Sequence, residues 1–286
     1  MSGTITNAAV EVRRSLRYAA HDGVELTGDL YLPHGRDGAP LLVSVHGGGW
    51  QVGNPDFYQH WGPLLAANGF GCFAIRYRLA SAEAKSYPAA IYDVKAALRF
   101  AHENGPELGF DPGRIGLVGD SAGAHLAGLA ALAGDTFVPQ LRDHGDLAAP
   151  ADVKVVVGFY GVYDLLAQWQ HDQIARPRDQ ITEKFLGTSP SLDRQRFLQA
   201  SPINHVSGQT KNKPAFLLIY GTDDEIVDPQ TQSQAFLAVL KEAGFFVRTF
   251  VLPGAGHFWA ADPMEEPGSL SARAAFPVIR FLREKL

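Results

Sequence analysis

Cysteine is almost absent from this chain. Its 286 residues include one, Cys72, so no disulfide can form within the chain and nothing points to an oxidising compartment. Cys72 lies in the apolar run Gly71-Cys72-Phe73-Ala74-Ile75 and reads as a small buried hydrophobe. Runs of like charge are also missing. Lysine and arginine number 25 against 30 aspartate and glutamate, a formal net charge of -5, and the basic residues are scattered singly. Such a surface offers no stripe for nucleic acid and no polybasic segment for an anionic membrane. No apolar stretch reaches the roughly 18 residues of a membrane span. The stretch from Met1 to Asn7 lacks a basic start followed by an apolar run, so no signal peptide is expected and a cytoplasmic location is. Internal repeats and low-complexity tracts are lacking too.

What is present is an ordinary globular composition. Hydrophobic residues make up 46% and charged residues 19%, and a chain of this length can bury a large core without disulfides or metals. Val24, Leu26, Leu30 and Leu32 alternate with Glu25, Thr27, Asp29 and Tyr31, the pattern of a half-buried strand. Glu11 to Tyr18 is its expected hairpin partner, joined through His21-Asp22-Gly23. The pattern then changes to short continuous apolar runs: Leu41 to Val45, Cys72 to Ile75, Ile115 to Val118, Val153 to Val157, Phe216 to Tyr220, and Phe246 to Leu252, interrupted by Arg248. Runs of this kind fit strands covered on both faces, as in a parallel sheet.

Helical stretches fall between them: Tyr58 to Asn68, Pro88 to Asn104, Ala122 to Ala133, Pro229 to Glu242 and Ser271 to Glu284. Strands alternating with helices predict an α/β fold with right-handed crossovers. Residues 160–213 break the rhythm with prolines and polar turns. They read as an insertion over the carboxyl ends of the strands, a cap or lid on one 1–286 unit.

Four segments carry chemistry. Gly119-Asp120-Ser121-Ala122-Gly123 matches G-x-S-x-G between a strand and an apolar helix. A sharp strand-to-helix turn there lifts Ser121 out of the sheet as a nucleophile. His46-Gly47-Gly48-Gly49-Trp50 follows another strand directly. Its glycines let backbone N–H groups approach a developing oxyanion. Gly48 and Gly49 are assigned to that role with Ala122, Gly47 being the alternative donor, and His46 reads as a residue that holds the loop. A serine also needs a base oriented by a carboxylate, in the order Ser, Asp or Glu, His. His257 stands in Gly254-Ala255-Gly256-His257 after the last strand. Asp223, Asp224, Glu225 and Asp228 crowd the loop after Gly221, and Asp228 before Pro229 suits a helix cap.

On these residues the chain resembles the hormone-sensitive-lipase-like esterases and the neighbouring bacterial feruloyl/acetylxylan-type esterase group. The resemblance runs from about residue 24 to the C-terminus and includes Tyr77-Arg78-Leu79, Tyr87-Pro88-Ala89-Ala90 and Asp93. It implies an α/β-hydrolase fold, a mostly parallel eight-stranded sheet with helices on both faces and a small insertion over the active site. It selects Asp224, three residues past the strand-end glycine, as the triad acid, and puts Asp120 behind the nucleophile as a brace for the oxyanion loop. Many hormone-sensitive-lipase relatives carry a longer N-terminal cap, work that residues 160–213 are expected to do here.

The expected function is therefore carboxylic ester hydrolysis through Ser121, His257 and Asp224, with an acyl-enzyme, on short-chain or aryl esters. The sequence is also similar to kynurenine formamidases, which makes arylformamide hydrolysis the alternative. A catalytically silent small-molecule binding protein is the third reading. Trp50, Tyr160, Trp169 and Phe258 are expected to line the substrate pocket, with Tyr163 and Trp259 nearby. No cofactor or metal is implied, because a triad supplies nucleophile and base by itself. The expected partner is a small-molecule ester, without nucleic acid or membrane, and homo-oligomer formation is compatible with the composition.

Overall fold

A computed structural model describes residues 4–7, 10–21, 23–35, 37–137 and 152–286. The described residues form nine strands, β1 (Thr4–Asn7), β2 (Val10–His21), β3 (Val24–Pro33), β4 (Ala39–Val45), β5 (Gly71–Ile75), β6 (Phe110–Asp120), β7 (Val153–Phe159), β8 (Ala215–Gly221) and β9 (Val247–Leu252). They form one sheet in the order β1-β2-β3-β5-β4-β6-β7-β8-β9. From β5 to β9 every neighbouring pair is parallel, whereas β1, β2 and β3 join antiparallel. The eight expected strands are β2 to β9. The ninth, β1, extends the antiparallel edge. Asp22, in the expected hairpin turn, lies outside the described residues.

The helices are α1 (Trp61–Ala67), α2 (Ala89–Leu108), α3 (Ala122–Leu132), α4 (Leu165–Ala175), α5 (Ile181–Leu186), α6 (Arg194–Ala200), α7 (Ala235–Glu242) and α8 (Leu270–Lys285). Alternation along the central strands sends side chains to two cores. Leu41, Val43 and Val45 pack with α2 and α3 on one face. Leu42, Val155 and Val157 pack with α1 and α8 on the other. Helix α3 is buried nearly all round, as its sequence, apolar except for His125, requires. Two expected helices are shorter at their starts. A 3-10 turn over Pro55–Gln59 precedes α1, and a wider turn over Gln230–Gln234 precedes α7. Asp228 accepts the N–H groups of Gln230 and Thr231 there, the capping expected of it.

One strand departs from the sequence reading. β9 is the end strand of the sheet, and Arg248, Thr249 and Val251 are exposed. It has a neighbour on one side only, and Arg248 marks its open face. Residues 160–213 form the crossover from β7 to β8 and carry α4, α5 and α6. Asp164 starts α4 by accepting the N–H groups of Leu166 and Ala167. Buried Gln232 fixes that start from the other side of the crossover. Its carbonyl oxygen accepts the N–H groups of Tyr163 and Asp164, and its amide donates to the Asp164 carbonyl.

Candidate active site

Ser121 follows the last residue of β6 and caps α3, with φ 50° and ψ -119°. A non-glycine residue held there is strained, the mark of a turn fixed by its surroundings. The turn is possible because its neighbours are glycines: a side chain on Gly123 would collide with the Val45 carbonyl. The carboxyl ends of β8 and β9 bring in the acid and histidine loops. His257 Nε2 lies 3.0 Å from Ser121 Oγ and His257 Nδ1 lies 2.7 Å from Asp224 Oδ2. A carboxylate can only accept, so Nδ1 carries the proton and Nε2 is left as acceptor for the serine hydroxyl.

Asp224 is held on both oxygens. Its Oδ1 accepts the N–H groups of Ile226 and Val227, each at 2.9 Å. Its side chain is 1% exposed and that of His257 2%, so the pair acts in a medium that strengthens its attraction. Asp223 and Glu225, the competing carboxylates, point outward: Asp223 accepts from the Thr222 hydroxyl, and Glu225 is exposed.

The glycine loop closes the other side. Gly48 and Gly49 have φ 105° and 58° and line the same cavity as Ser121 and Ala122. Among the described residues neither Gly48 N nor Gly49 N donates a hydrogen bond, while Gly48 O accepts those of Gln51 and Val52. Gly47, the alternative donor, is already engaged, because its N–H donates to Asp120 Oδ1 at 2.9 Å. His46 lies off the triad. Its Nδ1–H donates to the Gly47 carbonyl at 2.7 Å and its ring stacks on Tyr77. Burial pushes its pKa down to about 4, so the ring is neutral and structural.

A cavity of about 340 Å³ opens beside Ser121 and His257. Trp50 and Phe258 line it. Trp50 is buried, stacks on Phe185 and donates to His125 Nδ1 at 3.1 Å. Phe258 is 60% exposed at the rim. Tyr160 and Trp169, also expected in the pocket, are not part of the lining. Tyr160 follows β7, its ring 4.4 Å from that of His257 and packed on Trp259. Trp169 turns toward α5, where its Nε1 donates to Glu183 at 2.7 Å. Tyr163 stacks on Phe236 in the core. The polar lining missed by sequence reasoning includes Gln168 and Asp172 of α4 and Arg176, the residue that follows it. Their spacing of four is readable, but nothing local says that these residues look onto Ser121.

Among the described residues no group of histidine, cysteine and carboxylate side chains could hold a metal ion, and no helix is long and apolar enough to cross a membrane.

Sheet order, the strained serine at a strand-to-helix turn and the acid and histidine after the next strands define an α/β-hydrolase. Within that class the chain belongs to the BD-FAE family, whose model matches residues 28–240. The match includes Ser121 and Asp224 and ends before His257. The chain is 35% identical over 223 residues to Esterase LipQ of Mycobacterium tuberculosis, covering 77% of this chain and 50% of LipQ. It is 35% identical over 226 residues to Esterase LipC of the same organism, covering 77% of this chain and 53% of LipC. The chain thus spans about half the length of these curated relatives. Among solved structures, the thermophilic esterase Est2 of Thermogutta terrifontis superposes with a TM-score of 0.76 at 25% identity, covering 97% of this chain and 92% of that one. Est2 is also solved with propionate and with butyrate bound.

Proposed function

We propose that the protein is a serine carboxylic ester hydrolase acting on short-chain or aryl esters. The observation that carries this reading is the hydrogen-bonded chain from Ser121 Oγ to His257 Nε2, 3.0 Å, and from His257 Nδ1 to Asp224 Oδ2, 2.7 Å. His257 takes the serine proton as Oγ attacks the ester carbonyl. The N–H groups of Gly48, Gly49 and Ala122 stabilise the oxyanion. His257 then protonates the departing alcohol, and water, activated by the same histidine, hydrolyses the acyl-enzyme. Asp224 fixes the imidazole tautomer and stabilises the imidazolium.

The esterase names of LipQ, LipC and Est2 support the same bond type, and the propionate and butyrate complexes of Est2 support a short acyl group. So does a cavity of about 340 Å³, near the lower end of the roughly 300–1,000 Å³ usual for small-molecule sites. We take the chain as one hydrolase unit capped by residues 160–213, since α4 and Ile181 of α5 form one wall of the cavity. The partner is a small-molecule ester, and a cytoplasmic setting belongs to the proposal, to be checked by fractionation.

The test is hydrolysis of p-nitrophenyl acetate, butyrate and octanoate by wild type beside Ser121→Ala, with N-formylkynurenine in parallel. Turnover of the two shorter esters that disappears in Ser121→Ala, whose fold is verified by circular dichroism, is the expected result. Undiminished activity in that variant, or a rate peaking at octanoate, overturns the mechanism or the chain-length preference respectively. A much larger kcat/KM on the formamide would replace the ester by an amide as the natural bond.

A further inference from the structure

We propose that Arg176, held by Asp172 of α4 and by the Ile226 carbonyl, forms a polar subsite that binds an uncharged oxygen acceptor on the substrate, such as a ketone, ether or hydroxyl oxygen. The inference rests on the hydrolase reading and adds to it a substrate feature away from the scissile bond.

Gln168 and Asp172 stand one turn apart on α4 and Arg176 is the residue that ends the helix, and all three line the cavity that holds Ser121 and His257. The wall around them is apolar, formed by Val162, Ile181, Ile226 and Val227. Asp172 is 2% exposed and Gln168 3%. An ion pair withdrawn from water in such a wall loses hydration that its own attraction barely offsets, so apolar residues of equal size would hold the wall at least as well. A charged pair at this place needs a reason other than stability.

The hydrogen bonds show what the cluster has to spare. Arg176 donates from one terminal nitrogen, to Asp172 Oδ1 at 2.6 Å and to the Ile226 carbonyl at 3.2 Å. Gln168 Nε2 donates to the same two acceptors, each at 2.9 Å. Both partners of the glutamine nitrogen can only accept, which fixes the amide orientation. Gln168 Oε1 and Arg176 Nε are left buried without a partner. The Arg176 side chain keeps 22% of its surface exposed. The guanidinium is thus pinned along one edge and retains donors for a ligand oxygen, a short turn of its flexible stem being enough to present them. Asp172 cancels its charge. An anionic ligand would face that carboxylate, so the subsite suits a neutral acceptor.

Matched substrates test this. In the acyl series p-nitrophenyl 5-oxohexanoate is compared with 5-methylhexanoate, with the ketone also placed at carbon 4 of the hexanoate and at carbon 6 of a heptanoate, each beside its methyl-branched counterpart. In the alcohol series 4-oxopentyl acetate is compared with 4-methylpentyl acetate. Wild type is expected to favour the oxygenated member of at least one pair in kcat/KM by roughly ten-fold to a hundred-fold, the range of a hydrogen bond to a charged donor. In Arg176→Met that ratio should fall toward one, and Arg176→Lys should keep part of it. Calorimetric binding of the same pairs to Ser121→Ala reads the subsite without turnover, so loss of the hydrolase reading and loss of the subsite are distinguishable. Absence of any preference in wild type overturns the proposal. So does a ratio that survives in Arg176→Met while both members slow equally, because the cluster would then only tie α4 to the acid loop through Ile226.

Discussion

Asp120 Oδ1 accepts the Gly47 N–H at 2.9 Å across 73 positions of sequence, tying the glycine loop to the turn that carries the nucleophile. The carboxyl group is buried, which pushes its pKa well above the ordinary range, while the Gly47 N–H pulls the other way. The contact leaves no room for adjustment, since a side chain on Gly47 would press on the same carboxylate. Removing the acceptor frees the loop whose neighbouring N–H groups are proposed to hold the oxyanion. Asp120→Ala should therefore lower kcat on p-nitrophenyl butyrate by roughly 10- to 100-fold, because donors displaced by a fraction of an ångström lose much of their value. Asp120→Asn, with an amide oxygen in the same place, should recover most of it. A variant series in which Asn is as slow as Ala would assign the effect to charge instead of to the acceptor.

The acid offers a sharper separation of roles. Asp224 spends one oxygen on the N–H groups of Ile226 and Val227 and the other on His257. Asp224→Asn can keep the first set through its amide oxygen, so the loop should stay in place. Its NH₂ would then face Nδ1 and favour the tautomer with the proton on Nε2, which cannot accept from Ser121. A loss of roughly 10²–10⁴-fold in kcat is expected, with little change in melting temperature. Stopped-flow kinetics alongside a thermal melt would check both halves. A large drop in melting temperature with modest loss of rate would make Asp224 chiefly a loop residue.

Gly48 supplies a third test. Its φ of 105° is a conformation that side chains rarely adopt, and a methyl group there would meet the Val52 carbonyl. Gly48→Ala should flip or shift the peptide whose N–H is proposed to hold the oxyanion. Losing one oxyanion donor costs roughly 10²–10³-fold in kcat, and KM should change far less. Equal changes in both constants would argue that the loop shapes the pocket instead of the transition state.

What was legible in the sequence is what backbone physics forces. Gly119, Gly123, Gly47 and Gly48 stand where no side chain fits, and the apolar runs that became β4 to β8 fit strands covered on both faces. Ser121 could be named because it follows such a strand in a G-x-S-x-G turn and His257 because it stands in a glycine-rich loop after the last strand, whereas the choice of Asp224 among four neighbouring carboxylates rested on the family resemblance. β1 was missed because four residues give no alternation to read, and the exposure of β9 because an edge position depends on strand order. Tyr160 and Trp169 were placed in the pocket on proximity in sequence. A residue at the end of β7 and one on α4 can each point either way, and burial beside Trp259 and the hydrogen bond to Glu183 decided it. The same limit hid Gln168, Asp172 and Arg176, whose spacing of four is readable but whose view of the cavity is a matter of how α4 is docked.

Two buried histidines make stability depend on pH in a definite direction. His125 donates from Nε2 to the Ala200 carbonyl at 2.7 Å and accepts Trp50 Nε1–H at Nδ1, which only a neutral ring can do. Burial lowers its pKa to about 4, as it does that of His46, from 6.5 in the unfolded chain. Between those values the unfolded state binds protons that the folded state does not, so stability rises with pH there. The contribution is complete above about 6.5, falls as the pH drops toward 4 and levels off below. Each histidine can account for up to about 3 kcal/mol over that window. His205, lowered by burial as well, adds in the same sense. Asp120, with its raised pKa, opposes them, because its buried charge is relieved on acidification. Urea unfolding in steps from pH 7 to pH 4 should show a falling free energy, and His125→Gln should flatten the slope by about one histidine's share while lowering stability at pH 7. An unchanged slope in that variant would mean that His125 is protonated in the folded protein, and its bond to Trp50 would have to be redrawn.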